Sequence, residues 1–231
     1  MNILITGGSG FVGSWLRQTQ PKEISAVYLN REQYQMAKWT WLEWDIIIHA
    51  ANVSPLHVIH HHSGKMVYIS SGVVYGRAYG EYAENKIRWE GQLPHDAVIA
   101  RLFTFVGAGL GEQFAISKFI RRAASGLPPV IWGKGRSVRT YLHGQDMGEW
   151  LWKIALEGTG IYDVGSSVEY TVEEVARMVS EIYAAPEPIY EYHDYTEERY
   201  VPCNLRAKKE LGCKETIHLH EALERIKHEG I

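Results

Sequence analysis

The feature that most constrains this chain is a glycine-rich turn directly behind its first apolar run. Residues 3 to 5 (Ile-Leu-Ile) predict a buried strand, and apolar residues recur at helical spacing after the turn. Between them stand Gly7, Gly10 and Gly13, three residues apart. A strand, a tight turn and a helix in this order are typical of the first unit of a dinucleotide-binding fold. A glycine-rich turn without a ligand is the alternative.

Each of these glycines has a mechanical role in such a turn. Gly7 lets the chain reverse sharply, Gly10 lets the backbone approach a pyrophosphate, and Gly13 lets the helix pack closely on the strand. The free N–H groups at the start of the helix would then face the phosphates.

Composition excludes several classes of protein. The chain has 231 residues, 45% of them hydrophobic, which suffices for one core and a small second lobe. The formal net charge is −3 and there is no basic tract, so nucleic acid is not an expected partner. No apolar run reaches the length of a membrane helix. Two cysteines, Cys203 and Cys213, without a signal peptide before them, indicate a reducing compartment, and we expect a cytoplasmic protein.

The end of the second predicted strand bears on the choice of cofactor. Residues 24–29 are followed by Asn30 and Arg31, with no acidic residue at the strand tip. An acid there would bind the ribose of NAD, whereas an arginine accommodates the 2′-phosphate of NADP. Arg31 therefore favours NADP, although it could equally be an ordinary exposed loop residue.

The next buried strand is predicted in residues 45–52 and ends in small residues, Ala50 and Ala51. Small residues at a strand's carboxyl end let a dinucleotide lie close to the backbone. Three consecutive histidines follow at 60–62. Adjacent side chains point in different directions, so we interpret these as surface histidines and expect no metal site.

A candidate catalytic group follows the strand predicted in residues 66–70. Ser71 lies at the end of this strand, and Tyr82, Lys86 and Glu90 would share one face of a helix. A phenol has an ordinary pKa near ~10, and an ammonium one turn away, together with the positive charge of a nicotinamide, would lower it. A serine hydroxyl can orient a substrate oxygen. An exposed surface pair is the alternative for Tyr82 and Lys86.

In order along the chain, these motifs and several later ones resemble those of extended short-chain dehydrogenases/reductases. The similarity is to the NAD-dependent epimerase/dehydratase branch, which acts on nucleotide-sugars. The matching segments are residues 6–13, 49–51, 70–76, Tyr82 with Lys86, 100–107, 133–143, 162–166 and 205–212.

The resemblance implies roles for individual residues. Tyr82 would be the acid/base, Lys86 would bind the nicotinamide ribose, and Ser71 would hydrogen-bond the reacting oxygen of the sugar. The candidate cofactor contacts are Gly7, Gly10, Phe11, Val12, Gly13, Asn30, Arg31, Ala50, Ala51, Tyr82 and Lys86. The candidate substrate contacts are Ser71, Thr104, Arg139 and Arg199, where a guanidinium suits a diphosphate.

The chain departs from the family pattern in several places. It is shorter in the segments 31–45, 51–66 and 75–82, which leaves substrate closure and oligomeric state open. Gly72 and Val73 stand where dehydratases carry an acidic pair, so a dehydratase is disfavoured. Thr104 replaces a frequent asparagine.

The predicted fold is α/β: a doubly wound parallel sheet (Rossmann) with a small C-terminal α/β substrate lobe. Residues 1–107 and about 140–165 would form the dinucleotide-binding domain, and residues 108–139 and 166–231 the substrate lobe. Within the latter, Thr171 and Glu174 predict a capping box. The site is expected at the carboxyl ends of the strands, between the lobes.

We expect an NAD(P)-dependent enzyme whose substrate is a nucleotide-diphosphate sugar, and an epimerase is the leading hypothesis. The alternatives are an NADPH-dependent 4-keto-sugar reductase and a non-catalytic NADP-binding protein. Neither nucleic acid nor membrane is an expected partner, and a homodimer is left open.

Overall fold

The computed structural model describes residues 1–36, 44–62, 64–76, 80–191 and 196–229. The strands, in chain order, are β1 (Asn2–Thr6), β2 (Ser25–Leu29), β3 (Ile46–His49), β4 (Lys65–Ser71), β5 (Val98–Leu102), β6 (Phe105–Val106), β7 (Val130–Trp132), β8 (Val138–Thr140), β9 (Leu142–His143), β10 (Ile161–Val164), β11 (Glu169–Thr171), β12 (Ile189–Glu191) and β13 (Arg199–Tyr200). The helices are α1 (Phe11–Gln18), α2 (Arg31–Met36), α3 (Leu56–His61), α4 (Glu81–Glu90), α5 (Ala115–Ala124), α6 (Gly144–Glu157), α7 (Val172–Tyr183), α8 (Leu205–Leu211) and α9 (Leu219–Glu229). A short 3₁₀ helix covers Gly72–Tyr75.

The main sheet has six strands in the order β2-β1-β3-β4-β5-β10, and all of its strand pairs are parallel. Every residue of β3 is buried, and so is nearly every residue of β1 and β4. Such continuous apolar strands occur where helices cover both faces of a parallel sheet. The predicted Rossmann-type α/β fold is confirmed.

The register of the sheet brings the carboxyl ends of neighbouring strands together. Thr6 at the end of β1 pairs with His49 at the end of β3, and Ser71 at the end of β4 pairs with Leu102 of β5. Residues that directly follow these strands therefore share one edge of the sheet, where ligands bind in open parallel sheets.

One face of the sheet carries a buried core to which α4 contributes Trp89. The buried members of this cluster are Leu4, Ile47, Val58, Met66, Tyr68, Trp89, Ala97 and Ile99. Because Trp89 is anchored here, the other side chains on its face of α4 are directed at the sheet, and Lys86 is among them.

Contacts divide the chain into two units, each of which is assembled from separate segments. Unit 1 contains Met1–Phe103, Met147–Val164 and Asn204–Lys214, and its centre is the six-stranded sheet. It thus includes α8, which the predicted boundaries had assigned to the substrate lobe. The predicted domain division stays a prediction, since grouping by contacts does not show which segments bind a substrate.

Unit 2 contains Thr104–Asp146, Gly165–Cys203 and Glu215–Ile231. Its strands form three small sheets, β11-β8-β13, β12-β7 and β6-β9. Helix α7 begins with the predicted capping box: the Thr171 side chain accepts from the Glu174 N–H, and the Glu174 carboxylate accepts from the Thr171 N–H.

Two expectations concern what the chain lacks. Within the described part of the chain, no helix is both long enough and apolar enough to cross a membrane. Nor do the described residues group three or more histidine, cysteine or acidic side chains where a metal ion could bind. The side chain of His61 lies outside the described part of the structure.

Candidate cofactor site and active site

The glycine turn packs directly on the end of β3. Gly7 has a positive φ of 73°, and a Cβ placed on it would lie 2.8 Å from both the Ala50 carbonyl carbon and the Ala51 nitrogen. Any side chain at position 7 would therefore collide with this backbone. The packing unites three predicted cofactor contacts, Gly7, Ala50 and Ala51, at one edge of the sheet.

The other two glycines of the turn differ in their surroundings. A Cβ on Gly13 would lie 2.6 Å from the Gly8 Cα atom, so the close packing of α1 on the turn requires glycine there. Gly10 is exposed, and among the described residues a Cβ on it would meet a single neighbour, the Gly7 carbonyl oxygen at 3.4 Å. Phe11 and Val12 begin α1, whose first turn directs N–H groups towards Gly10.

A buried network holds the ends of β1 and β3. The Thr6 hydroxyl lies 3.0 Å from His49 Nδ1 and accepts from the Ala51 N–H at 3.3 Å, while His49 Nε2 lies 3.2 Å from the Val53 carbonyl oxygen. These partners assign the proton to Nε2, which donates to Val53, and let Nδ1 accept from Thr6. Burial lowers the pKa of His49 to about 4, so the ring is neutral at pH 7.

The two candidate cofactor contacts after β2, Asn30 and Arg31, lie at the start of helix α2. Asn30 is engaged in a capping box with Gln33: its side chain accepts from the Gln33 N–H at 2.9 Å, and the Gln33 side chain accepts from the Asn30 N–H at 3.0 Å. Arg31 is the first residue of α2 rather than a loop residue, and it is exposed. An unburied guanidinium thus lies at the strand end where the sequence predicted an adenosine contact.

The three predicted catalytic residues lie together where β4 ends. The Ser71 hydroxyl accepts from the Val73 N–H at 3.4 Å and is hydrogen-bonded to the Tyr82 phenol. Tyr82 is 48% exposed, on the first turn of α4. Lys86, one turn further on, is 4% exposed. Its Nζ donates to the Ile69 carbonyl at 3.0 Å and lies 5.7 Å from the centre of the Tyr82 ring.

The net pKa shift of Tyr82 is upward, whereas the expected lowering required the Lys86 ammonium together with the charge of a nicotinamide. Burial raises the pKa of the Tyr82 phenol, and the hydrogen bond from Ser71 acts in the opposite direction. Burial also lowers the pKa of Lys86 to about 8, an effect that the charge of Glu90 opposes. Desolvation favours the neutral form of each group: Lys86 is almost completely buried, and the phenol of half-exposed Tyr82 is partly withdrawn from water.

Behind Lys86 lies a polar network that the sequence analysis did not identify. Glu90 accepts from Arg101 Nε at 3.1 Å and from its terminal nitrogen at 2.6 Å. The Arg101 guanidinium lies 4.6 Å from the centre of the Tyr75 ring, and the Tyr75 hydroxyl donates to Asp163 at 2.7 Å. The i, i+4 spacing from Lys86 indicated the orientation of Glu90, but its partner comes from another strand.

The position of Gly72 explains why an acidic residue is disfavoured there. A Cβ on Gly72 would lie 2.6 Å from the Phe103 ring. An acidic side chain at this position would need the space that the Phe103 ring fills, and the expectation that the chain is not a dehydratase stays a prediction.

The candidate substrate contacts Thr104, Arg139 and Arg199 belong to unit 2. The two arginines lie on adjacent strands, β8 and β13, and each is paired with a carboxylate. Arg139 lies 3.3 Å from Glu198 and also donates to its carbonyl oxygen at 3.1 Å, whereas Arg199 pairs with Glu169. The Thr104 carbonyl accepts from the Leu142 N–H at 3.1 Å. A diphosphate would have to compete with these carboxylates or share the guanidinium groups with them.

With this geometry established, comparison with known proteins identifies the relationship. Residues 83–165 match the model of the NAD dependent epimerase/dehydratase family. Over this segment the chain is similar to that family. The matched residues include Lys86, Thr104 and Arg139, and the resemblance inferred from the motifs is confirmed.

The curated relatives are considerably longer than this chain. A trifunctional UDP-glucose 4,6-dehydratase/3,5-epimerase/reductase of Arabidopsis thaliana is 28% identical over 159 residues, which are 66% of this chain and 22% of that protein. UDP-glucuronic acid decarboxylase 2 of the same plant is 27% identical over 132 residues, which are 54% of this chain and 29% of that enzyme. The chain thus spans less than a third of the length of these relatives.

Solved structures show the same fold. The dTDP-glucose 4,6-dehydratase of Bacillus anthracis, solved with NAD, gives a TM-score of 0.84 at 18% identity, over 97% of this chain and 94% of that one. The UDP-glucose 4-epimerase of Thermotoga maritima, solved with UDP-glucose, gives 0.83 at 19% identity, over 97% and 96%. RMD of Pseudomonas aeruginosa, complexed with NADPH, gives 0.82 at 20% identity, over 99% and 98%.

Proposed function

We propose that this chain is an NAD(P)-dependent nucleotide-sugar epimerase that uses Tyr82 as its acid/base. The observation that carries the proposal is the cluster of Ser71, Tyr82 and Lys86 at the end of β4. The glycine turn lies in the same unit, at the carboxyl end of a strand of the same sheet. A pure binding module has no need for all three side chains in this arrangement.

The glycine turn fits the pyrophosphate of NAD(P). Gly7 and Gly13 are required by the close packing around them, and exposed Gly10 leaves the backbone accessible beside the start of α1. Neutral His49 and Thr6 hold the backbone of Ala51 against the turn without adding charge. When bound, NAD(P) would accept and return a hydride.

Side chains of this protein would remove and return the proton of the reacting sugar hydroxyl. Tyr82 would take the proton of the reacting sugar hydroxyl as the hydride leaves the carbon, and would return it when the hydride is delivered to the other face. Ser71 would orient that oxygen through its hydroxyl. Lys86, whose Nζ lies 5.7 Å from the centre of the Tyr82 ring, would stabilise the phenolate, because a nearby positive charge favours the ionised form of a phenol.

Replacing Tyr82 by phenylalanine tests the assignment. We expect turnover of a panel of UDP- and dTDP-sugars to fall by about 10²–10⁴-fold, with NAD(P)H affinity unchanged. Tyr190→Phe, at a half-exposed tyrosine of unit 2, is the matched control and should be fully active. Full turnover by Tyr82→Phe would refute the catalytic assignment. A wild-type protein that binds cofactor but turns over nothing would support the non-catalytic alternative.

A second candidate, an NADPH-dependent 4-keto-sugar reductase, is favoured by one observation. Arg31 is exposed at the tip of β2, where Leu29 and Asn30 supply no carboxylate for a ribose 2′-hydroxyl. This arrangement supports a preference for NADP, because a guanidinium binds a 2′-phosphate well. A reductase would consume NADPH, whereas an epimerase would recycle its cofactor.

Arg31→Ala tests the cofactor preference. We expect the variant to bind NADPH about tenfold more weakly, with NADH affinity unchanged, because one phosphate contact is lost. Lys22→Ala, at an exposed cation of the same unit, should change neither affinity. Equal affinities of wild type and Arg31→Ala for NADPH, measured by fluorescence titration, would contradict the preference.

A nucleotide-diphosphate sugar is the proposed substrate, with Arg139 and Arg199 as its candidate diphosphate contacts. The homodimer and the cytoplasmic location stay predictions.

A further inference from the structure

A buried cluster of charged and polar groups lies between α4 and one face of the sheet. It consists of Lys86 and Glu90 from α4, Arg101 from β5 and Tyr68 from β4. Lys86 is 4% exposed, and the side chains of Glu90 and Arg101 are 11% and 15% exposed. Burying three charged groups under one helix has a large desolvation cost, and the attraction of Glu90 to the two cations opposes it.

Within this cluster, Glu90 stands in a defined relation to Lys86. It follows Lys86 by one helical turn, so both side chains project from the same face of α4. Two hydrogen bonds from Arg101 fix the carboxylate in place. Glu90 therefore has little freedom to swing towards solvent, and its charge stays near the ammonium.

The groups around Lys86 come from four elements. Tyr82 and Glu90 lie on its own helix, Tyr68 on β4 has its ring centre 5.0 Å from Nζ, and Arg101 on β5 holds Glu90. From β3, His49 also interacts with its charge. Burial keeps the His49 ring neutral at pH 7 and raises the pKa of the Tyr68 hydroxyl, which therefore stays protonated. Among these groups around Lys86, Glu90 is the one that carries a negative charge.

We propose that Glu90, held by Arg101, is a positioning residue that keeps Lys86 positively charged behind Tyr82. The catalytic consequence rests on the proposed function, in which the ammonium stabilises the Tyr82 phenolate. The direction of the electrostatics agrees, because burial pulls the pKa of Lys86 down to about 8 and Glu90 opposes that shift. Without the carboxylate, burial would act unopposed and a large share of Lys86 would be neutral near pH 7.

The charge of Lys86 can be measured in the cofactor-free protein, independently of any activity. Lysine labelled with ¹³C at Cε reports its own titration by NMR, and a Lys86→Met variant assigns the signal. In Glu90→Gln we expect the pKa of Lys86 to fall by roughly one unit relative to wild type. Glu84→Gln, at an exposed glutamate of the same helix, should leave it unchanged.

A second variant, Arg101→Gln, should shift the pKa of Lys86 in the opposite direction. It tests the proposal if Glu90→Gln does not fold. In Arg101→Gln, Glu90 loses the cation that compensates its charge, so the pKa of Lys86 should rise. A Lys86 titration that stays at the wild-type value in the folded variants would overturn the proposal. A fall in Glu90→Gln, or a rise in Arg101→Gln when the former does not fold, supports it.

Turnover then separates this proposal from the proposed function. If the protein is the proposed enzyme, Glu90→Gln should lose activity on the alkaline side at a pH about one unit lower than wild type does, and Glu90→Asp should restore much of the profile. If no substrate is turned over but the NMR shifts appear, the proposed function fails and the charge relation between Glu90 and Lys86 stands.

Discussion

At the scale of single residues, the role of a side chain such as His49 depends on contacts with residues distant in the sequence. His49 ends an apolar strand, and its ring connects the end of β1, through Thr6, to the loop after β3, through Val53. The ring can do this while completely buried only if it is neutral, since a buried charge without a partner is strongly unfavourable. Stability should therefore depend on pH through this residue.

The sign of that dependence follows from the two protonation states. The folded pKa of His49, about 4, lies below the ordinary value of 6.5. As the pH falls from 6.5 to 4, His49 binds a proton in the unfolded chain but stays neutral in the folded chain. The free energy of unfolding therefore decreases. A shift of this size corresponds to about 3 kcal/mol over the window.

Urea titrations between pH 7 and pH 4.5 measure this effect. His49→Asn should reduce the dependence of unfolding free energy on pH by close to one proton, whereas His60→Asn, at an exposed histidine, should retain the wild-type slope. An unchanged slope in His49→Asn would show that another group governs the acid sensitivity.

Residue patterns predicted the groups whose partners are close in sequence. Ser71, Tyr82 and Lys86 could be found because helical spacing and the end of a strand bring them together. The contacts of His49 with Thr6 and of Glu90 with Arg101 could not, because they depend on which strands become neighbours. The sequence also implied that the Lys86 ammonium lowers the pKa of Tyr82. The net shift of the Tyr82 pKa is upward, because helical spacing does not reveal how far each group is withdrawn from water.

At the scale of elements, the ends of helices also show that contacts between residues close in sequence can be predicted. The capping box of α7 was predicted because Thr171 and Glu174 are three residues apart. Asn30 and Gln33 have the same spacing at the start of α2, so this capping box is also readable from the sequence. Local capping chemistry can thus be predicted even where tertiary contacts cannot.

The other end of α7 leads to a stability prediction. Ala184 has φ 52°, and it is the described chain's one non-glycine residue with positive φ. Its N–H donates to Glu181 and the next N–H donates to Ser180, an arrangement that usually has glycine at this position. Ala184→Gly should stabilise the protein by about 0.5–1 kcal/mol, because it removes the left-handed strain of alanine.

Chemical denaturation of Ala184→Gly against Ala185→Gly checks this. Ala185 does not share the positive φ, so glycine there should be neutral or destabilising. Equal destabilisation by both variants would show that Ala184 carries no recoverable strain.

At the scale of the whole molecule, each unit is built from three separate segments. Helix α8 lies near the end of the sequence but belongs to unit 1, where side-chain hydrogen bonds join it to β10. Arg206 donates to the Ile161 carbonyl oxygen of β10, and Tyr162 donates to Glu210. Helix α8 therefore lies against β10, the outer strand of the sheet, and satisfies one of its carbonyl groups.

A chain truncated after Cys203 should consequently lose more than its missing residues. We expect β10 to become exposed to hydrogen exchange and the thermal transition to broaden, because unit 1 is incomplete. Truncation after Glu229 should leave unfolding as it is in the 231-residue chain. If hydrogen exchange of residues 161–164 is unchanged in the chain that ends at Cys203, α8 is dispensable for this edge.

The late arrival of α8 also has a consequence for synthesis in the cell. The glycine turn and β1 leave the ribosome long before α8, yet the unit that contains them is not complete until residues 204–214 have emerged. Unit 1 therefore cannot finish folding while the intervening residues are being translated, and the nascent sheet keeps an open edge throughout that time. Slow translation of the codons for residues 165–203 would extend the exposure, so the yield of native protein should depend on elongation rate and on chaperones that shield β-strand edges.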